Sequence, residues 1–221
     1  RRWTVLPALC GVLLLGRQVF SWPGLEWLLL AAALALPLSG VLTYGKPQAL
    51  TFTDVCAMAA AGFAIPWAFS GLYGLRMLEG GYLLVLTPLV AAFCSDALAL
   101  FTGMALGRHK LAPLVSPHKT VEGAAGGLVG GMAGMAIFCL VYRAITGVNL
   151  GLPLCVALGL LGALLGELGD LSFSAVKRQY GIKDYGRLLP GHGGVLDRFD
   201  SVLFAAPVLC ALLRALAAYT A

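Results

Sequence analysis

The sequence predicts an all-α, polytopic integral membrane protein, a helical bundle with about seven transmembrane helices. Hydrophobic residues make up 60% of the 221 residues and charged residues only 11%, whereas soluble domains are roughly half apolar and a quarter charged. The mean hydropathy is +0.90. The apolar residues also gather into runs of about 20, the length with which a helix crosses a bilayer. A large soluble core is therefore disfavoured.

Seven segments are predicted to span the membrane. They are residues 4–20, 25–44, 52–75, 82–107, 122–146, 152–173 and 200–220. We divide the chain into N-terminal transmembrane helices (1–80) and a second transmembrane region (81–221) that carries a polar site. In the fifth span, glycines recur at helical spacing and predict a face for close helix packing, in preference to a phosphate-binding loop. These glycines are Gly123, Gly126, Gly127, Gly130, Gly131 and Gly134.

Positive charge is concentrated in two connecting segments. Eight of the fifteen Lys and Arg lie within 108–119 and 177–198. Two predicted spans separate these segments, so both lie on the same side of the membrane, and their charge indicates the cytoplasmic side. The same clustering favours anionic partners, such as lipid headgroups or nucleotide phosphates.

Acidic residues accompany these segments in a pattern that suits metal and phosphate. Asp96 falls in mid-span, where an ionisable side chain indicates function, although a structural salt bridge is the alternative. Glu167, Asp170, Ser174 and Lys177 follow helical spacing and therefore share one face. Carboxylates beside phosphate-binding cations suit Mg²⁺, which binds one or two carboxylates together with substrate phosphates.

The segment before the last span combines glycines with further charge. Pro190, Gly191, Gly193 and Gly194 form a backbone that a ligand can approach closely, with free amides for phosphate oxygens. His192, flanked by these glycines, is a candidate for ligand contact. Asp197 and Asp200 then lie at the start of the final helix, where its dipole favours negative charge. Six scattered cysteines form no metal-binding pattern. The residues together indicate metal-assisted phosphoryl or nucleotidyl transfer to a lipid.

Two blocks of residues resemble the motifs of the phosphatidate cytidylyltransferases (CDP-diacylglycerol synthases). The first comprises Ser174, Lys177, Arg178, Lys183, Asp184, Gly186, Leu189, Pro190, His192, Gly193, Gly194, Asp197, Arg198, Phe199 and Asp200. The second comprises Asp96, Gly103, Gly107, Lys110, Leu111, Ser116, Pro117, Lys119, Thr120, Glu122 and Gly123. The chain departs from the family pattern at His118, where Lys is usual, and at Ala97 and Leu100, where Thr and Tyr are common.

The resemblance implies transfer of a cytidylyl group from CTP to phosphatidic acid, giving CDP-diacylglycerol and pyrophosphate in phospholipid biosynthesis. It makes 81–221 the catalytic region and implies catalytic roles for Lys177, Arg178, Asp197 and Asp200. The implied metal ligands are Asp170, Asp197 and Asp96, for Mg²⁺ with a monovalent cation such as K⁺. The implied substrate-binding residues are Ser116, Lys119, Glu122, Ser174, Lys183, Asp184, His192, Gly193, Gly194 and Arg198.

The expected partners are CTP, phosphatidic acid, the lipid bilayer and a second copy of the chain, with no nucleic acid. The expected location is the cell inner membrane, with the site facing the cytoplasm. One alternative is a CTP-dependent cytidylyltransferase or kinase that acts on another lipid, such as an isoprenoid-ether lipid phosphate or a polyprenol. An ion-coupled transporter is less favoured, because the chain lacks the internal symmetry typical of transporters.

Overall fold

The computed structural model describes residues 5–20, 24–46, 49–186 and 193–220. The chain divides into two compact units, Arg1–Tyr73 and Gly74–Ala221. Within the described residues, six helices are long and apolar enough to cross a membrane. The all-α membrane fold predicted from composition is therefore confirmed.

The first unit is helical. It contains α1 (Val5–Val19), α2 (Gly24–Thr43), α3 (Phe52–Ala59), a π-helical segment (Ala60–Ala64) and most of α4 (Ile65–Arg76). Thr51 and Asp54 form a capping box at the start of α3, with the Asp54 amide donating to Thr51 Oγ1 at 3.1 Å. Cys10, Ala32 and Leu36 form the centre of the unit's core.

The second unit holds the predicted polar residues. It contains α5 (Gly81–Leu84), α6 (Thr87–Leu106), β1 (Lys110–Ala112), β2 (Ser116–Thr120), α7 (Val121–Thr146), α8 (Leu152–Gln179) and α9 (Leu196–Thr220). The two strands are antiparallel, with Lys110 opposite Thr120 and Ala112 opposite Ser116. The core gathers around Leu75, Met135 and Leu209.

The structure differs from the sequence prediction at three places. Helix α1 has 15 residues and is not among the six helices long enough to span. Helix α8 continues to Gln179, beyond the predicted end at 173, and α9 begins at Leu196, before the predicted start at 200. The hydropathy pattern ends where charged residues begin, but helical hydrogen bonding continues through them. The basic loop after α6 forms a β-hairpin (β1 and β2). Its strands are too short and polar for the sequence pattern to predict them.

The glycine face of α7 packs closely as predicted. A methyl group at Gly130 would lie 2.5 Å from the Cys94 carbonyl oxygen of α6, and one at Gly131 would lie 2.7 Å from the Gly159 carbonyl oxygen of α8. These approaches leave no room for a side chain. The face therefore holds α6 and α8 together on either side of α7 and fixes the positions of their acidic residues.

Candidate functional site

One face of α8 carries three polar side chains that reach two other elements. Ser174 Oγ donates to Asp170 Oδ1 at 3.3 Å, one helical turn away. Asp170 Oδ2 pairs with Lys119 Nζ of β2 at 2.5 Å. Lys177, on the next turn, pairs with Asp197 Oδ1 of α9 at 3.1 Å. The predicted α8 stripe is therefore confirmed, and it brings the two basic segments of the sequence together.

Asp197 is held at the first turn of α9 by backbone donors. Its Oδ2 accepts hydrogen bonds from the amides of Tyr185 and Gly194, each at 2.9 Å. Gly193, with φ +81°, adopts the left-handed conformation that turns the chain towards the helix. The carboxylate is thereby fixed where the helix dipole favours negative charge.

Tyr185 supports the Lys177–Asp197 pair on a second side. Lys177 Nζ lies 5.5 Å from the centre of the Tyr185 ring, and the Tyr185 hydroxyl donates to the Phe173 carbonyl oxygen at 2.9 Å. Burial, reinforced by the charges of Asp197 and Asp200, raises the pKa of Tyr185 to about 12. Sequence reasoning assigned no role to this residue.

A cavity of about 450 Å³ lies beside the Lys119–Asp170 pair. Its walls come from α6, α7, α8 and the hairpin. Polar lining is provided by Asp96, His118, Lys119, Thr120 and Glu167. Apolar lining is provided by Ala99, Leu100, Met104 and Ala124. The cavity thus combines charged groups with an apolar wall inside a membrane-spanning unit.

Two buried polar atoms of the described residues lack hydrogen-bond partners, and one of them belongs to Glu167, which lines this cavity. Among the described residues, Ser95 Oγ and Glu167 Oε1 are the buried side-chain oxygen or nitrogen atoms without a hydrogen bond. Both lie against Gly127, where a methyl group would be 2.7 Å from Glu167 Oε1 and 2.9 Å from Ser95 Oγ. Buried polar groups normally have partners, so this junction is poised to accept a polar atom. Sequence reasoning placed Glu167 on the polar face of α8 but assigned no role to Ser95.

The acidic residues around the cavity act on one another electrostatically. Asp96, Glu167 and Asp170 interact with each other and with Lys119. Asp200 interacts with Asp96, Asp170 and Lys177. Carboxylates thus outnumber the nearby cations, which is an arrangement that attracts further positive charge.

The predicted metal ligands lie in this region but do not form a ready-made metal cage. Within the described part of the chain, no three His, Cys, Asp or Glu side chains converge closely enough to hold a metal ion. Asp170 and Asp197 each pair with a different lysine, while Asp96 lines the cavity. Their carboxylate oxygens are the type of ligand that Mg²⁺ prefers. The metal-binding role of these three aspartates stays a prediction.

Other predicted site residues lie around the hairpin and the α8–α9 loop. Arg178 is exposed, and its Nε donates to the Val115 carbonyl oxygen of the hairpin at 3.2 Å. Lys183, Asp184 and Arg198 are exposed, Ser116 is half-buried and Asp200 is buried. His192 was also predicted to bind substrate, and it lies outside the described residues, together with Leu189 and Pro190.

Glu122 has a contact that the sequence did not suggest. Its Oε2 accepts from the amides of Arg108 and His109 at 3.1 and 3.2 Å, and its Oε1 lies 2.6 Å from His109 Nδ1. These contacts tie the start of the hairpin to the first turn of α7. The substrate-binding role of Glu122 stays a prediction beside this structural one.

Comparison with known proteins agrees with these features. The model of the cytidylyltransferase family matches residues 3–216. The chain is 40% identical over 158 residues to a protein named phosphatidate cytidylyltransferase from Staphylococcus saprophyticus, covering 72% of this chain and 58% of that protein. It is 38% identical over 220 residues to the protein of the same name from Bacillus subtilis, covering 94% of this chain and 78% of that one. The chain thus spans less than two thirds of the Staphylococcus relative.

Proposed function

The chain belongs to the cytidylyltransferase family, and on that premise we propose that it transfers a cytidylyl group from CTP to phosphatidic acid. The products would be CDP-diacylglycerol and pyrophosphate. The observation that carries this proposal is the α8 face, where Asp170, Ser174 and Lys177 join the hairpin to α9. Two cationic groups there lie beside carboxylates, an arrangement that suits two phosphate-bearing substrates.

In the proposed reaction, a phosphatidate phosphate oxygen attacks the α-phosphorus of CTP. A new phosphorus–oxygen bond forms, and the bond from the α-phosphorus to the oxygen that bridges to the β-phosphate breaks, releasing pyrophosphate. A phosphate monoester is largely a dianion at neutral pH, since its second pKa is about 6, so the attack needs little base assistance. The residues' task is to hold two anions together against their repulsion.

Lys119 and Lys177 would supply the charge for this task. Each now pairs with a carboxylate, and a phosphate could replace that carboxylate as the partner of the ammonium. The Gly193 and Gly194 backbone lies beside Asp197, where a phosphate could approach it closely. Arg178 would bind phosphate from the exposed end of α8.

We also propose that Mg²⁺ takes part, held by Asp170 and Asp197 with Asp96 nearby, alongside a monovalent cation such as K⁺. The divalent ion would neutralise charge on the phosphates as the bond to the α-phosphorus forms. Mg²⁺ normally uses few protein carboxylates and completes its coordination with substrate oxygens and water. The carboxylates present fit that mode.

The proposed location is the bacterial inner membrane with the site facing the cytoplasm, because the hairpin and the α8–α9 loop carry the clustered Lys and Arg. Protease accessibility in sealed inverted vesicles tests this orientation. A homodimer also belongs to the proposal, and chemical cross-linking of the protein in membranes tests it.

The activity itself is tested with purified protein in proteoliposomes. Labelled CTP and Mg²⁺ are supplied with phosphatidic acid, and CDP-diacylglycerol is scored. Parallel reactions contain an isoprenoid-ether lipid phosphate or a polyprenol instead. Product from phosphatidic acid alone supports the proposal, whereas product only from another acceptor would replace the lipid assignment.

A further inference from the structure

The cavity beside Lys119 has two chemically different sides. Leu100 and Met104 form part of its apolar wall and are 59% and 67% exposed. They belong to a helix of membrane-spanning length, where exposed apolar side chains face hydrocarbon. On the other side, His118 and Lys119 extend from the hairpin. A cavity with this arrangement matches an amphiphile that has an anionic headgroup.

A nucleotide matches the cavity less well. No Phe, Tyr or Trp side chain is among its lining residues within the described chain, so a base would find only the His118 ring as a stacking surface. The groups best suited to a triphosphate, Lys177 and the Gly193 and Gly194 backbone, lie outside its walls. They adjoin Asp197, further along the same face of α8.

Resting on the proposed function, we infer that this cavity binds the phosphate and glycerol end of the lipid substrate, and that CTP binds on the Lys177–Asp197 side. Lys119 contacts the lipid phosphate, with His118 beside it. The apolar wall contacts the first carbons of the acyl chains. The remaining chain atoms stay in the bilayer, because a cavity of about 450 Å³ holds only a group of modest size.

The acidic floor limits how far the phosphate enters. Asp96 and Glu167 line the cavity, and their negative charge repels an anion that moves past Lys119. The phosphate therefore stays near the Lys119–Asp170 pair. Ser174 and Lys177 follow Asp170 along the same helix face, so the lipid phosphate is placed next to the region assigned to the nucleotide.

Photolabelling tests this assignment without requiring turnover. The probe is phosphatidic acid that carries a diazirine near the carboxyl end of one acyl chain, in phosphatidylcholine proteoliposomes without CTP. We expect label within residues 99–104 of α6. Unlabelled phosphatidic acid should compete for it, whereas added phosphatidylcholine and CTP should not.

Matched variants connect the label to the cavity. Ala124→Leu fills the cavity from α7, and labelling should fall about tenfold, the effect expected from overpacking. Ala125→Leu adds the same group to the adjacent residue, which is exposed and outside the cavity, and should leave labelling unchanged. Leu100→Trp and Phe101→Trp form a second pair at two exposed positions, of which only Leu100 lines the cavity.

The charged end is tested separately. His118→Ala should weaken competition by phosphatidic acid about tenfold or more, because a polar contact to a charged group is lost. His118→Lys should preserve it. Lys110→Ala removes an exposed cation of the same hairpin outside the cavity, and it should have no effect.

Three results would overturn the inference: label that phosphatidic acid does not displace, label that CTP displaces, or equal labelling of Ala124→Leu and Ala125→Leu. The turnover assay is a separate measurement. Competed labelling without any CDP-diacylglycerol would support the lipid site and reject the proposed reaction. CDP-diacylglycerol formation together with equal labelling of Ala124→Leu and Ala125→Leu would support the proposed reaction and reject the lipid site.

Discussion

Lys177 and Asp197 form an ion pair of 3.1 Å between α8 and α9, and their side chains are only 11% and 4% exposed. The Lys119–Asp170 pair is shorter, at 2.5 Å, yet its side chains are 26% and 27% exposed. Exposure weakens an ion pair, whereas breaking a buried pair leaves an uncompensated charge. The two pairs should therefore differ in their effect on stability, although both serve the proposed reaction.

The first prediction compares Asp197→Asn with Asp170→Asn. Both should lower turnover by orders of magnitude, because each removes a carboxylate that we propose holds Mg²⁺ against the substrate phosphates. Asp197→Asn should also lower the free energy of unfolding by about 3 kcal/mol, since it leaves Lys177 buried without its partner. Asp170→Asn should cost less than about 1 kcal/mol. Turnover at saturating Mg²⁺ and denaturant unfolding in detergent measure the two effects.

The double variant Lys177→Gln/Asp197→Asn is the control for this comparison. It removes both charges, so it should recover much of the stability without recovering turnover. Near-normal turnover by either single variant would contradict the assigned roles of the two aspartates.

The second prediction concerns Arg178→Lys. A lysine keeps the charge but cannot reproduce the Nε contact with the Val115 carbonyl oxygen or a forked contact with phosphate. We expect turnover to fall by roughly tenfold with stability changed by less than about 0.5 kcal/mol, because Arg178 is exposed. Arg108→Lys is the control variant. Arg108 contacts Glu122 through its backbone amide, which the substitution retains, so turnover should stay close to that of the wild type. Equal kinetics for Arg178→Lys and wild type would reject a geometric role.

The third prediction is a pH dependence carried by Tyr185. Its pKa is raised from 10.0 to about 12 in the folded protein, so the neutral phenol is favoured by folding. That stabilisation is complete below pH 10 and is lost as the pH rises towards 12. Tyr185→Phe should therefore lose less stability than wild type between pH 10 and 12, as unfolding curves at stepped pH would show.

At pH 8, Tyr185→Phe should cost about 1 kcal/mol through loss of the hydrogen bond to Phe173. Turnover should remain close to wild type, since the ring and the backbone amide that contacts Asp197 are retained. Tyr180→Phe, at a position half exposed, is the matched control. An identical pH response of the wild type and Tyr185→Phe would refute the role of the phenol.

The fourth prediction concerns Glu167→Gln. Because Glu167 Oε1 is buried without a hydrogen bond within the described chain, replacing the acid by a neutral amide should leave the unfolding free energy unchanged or higher. Turnover should nevertheless fall by about tenfold or more, since the negative charge that keeps the lipid phosphate from moving past Lys119 is reduced and the phosphate is positioned less well. Glu79→Gln, at an exposed position, should change neither quantity. A stable and fully active Glu167→Gln would show that the acid is dispensable.

The fifth prediction is direct transfer without a covalent enzyme intermediate. The hydroxyl of Ser174 contacts Asp170, but that carboxylate is already paired with Lys119 and is a weak base for activating a serine. Incubation with α-³²P-CTP alone should leave the protein unlabelled, and the kinetics should be sequential. Ser174→Ala should retain measurable turnover. Labelled protein that yields product on addition of phosphatidic acid would disprove direct transfer.

The sequence predicted those parts of the site that depend on local spacing. Asp170, Ser174 and Lys177 share a helix face because their separations match the helical repeat, and the Ser174–Asp170 contact confirms it. Charge clustering also predicted that the two basic segments lie on one side, and the contact of Arg178 with the Val115 carbonyl oxygen joins them.

Contacts between residues that are far apart in the sequence could not be predicted from local spacing. Tyr185 acts through its backbone amide and ring, and neither property distinguishes it from any other loop aromatic before the fold is known. Ser95 and Glu167 both lie against Gly127 only because its missing side chain lets α6 and α8 approach α7 closely. The contact of Glu122 with the His109 amide likewise exists only because the hairpin brings the residue before β1 next to the first turn of α7.

Helix α8 is longer than the hydrocarbon layer is thick. Its 28 residues extend about 42 Å at 1.5 Å per residue, against a core of roughly 30 Å. If Leu152 marks one edge of that core, the other edge falls near Leu171, and the turns bearing Ser174 and Lys177 project into the headgroup layer. A phosphatidic acid molecule resting in its own leaflet already holds its phosphate at that depth. In the proposed reaction, the lipid would therefore react without being lifted from the bilayer, and only the water-soluble nucleotide would have to travel to the site.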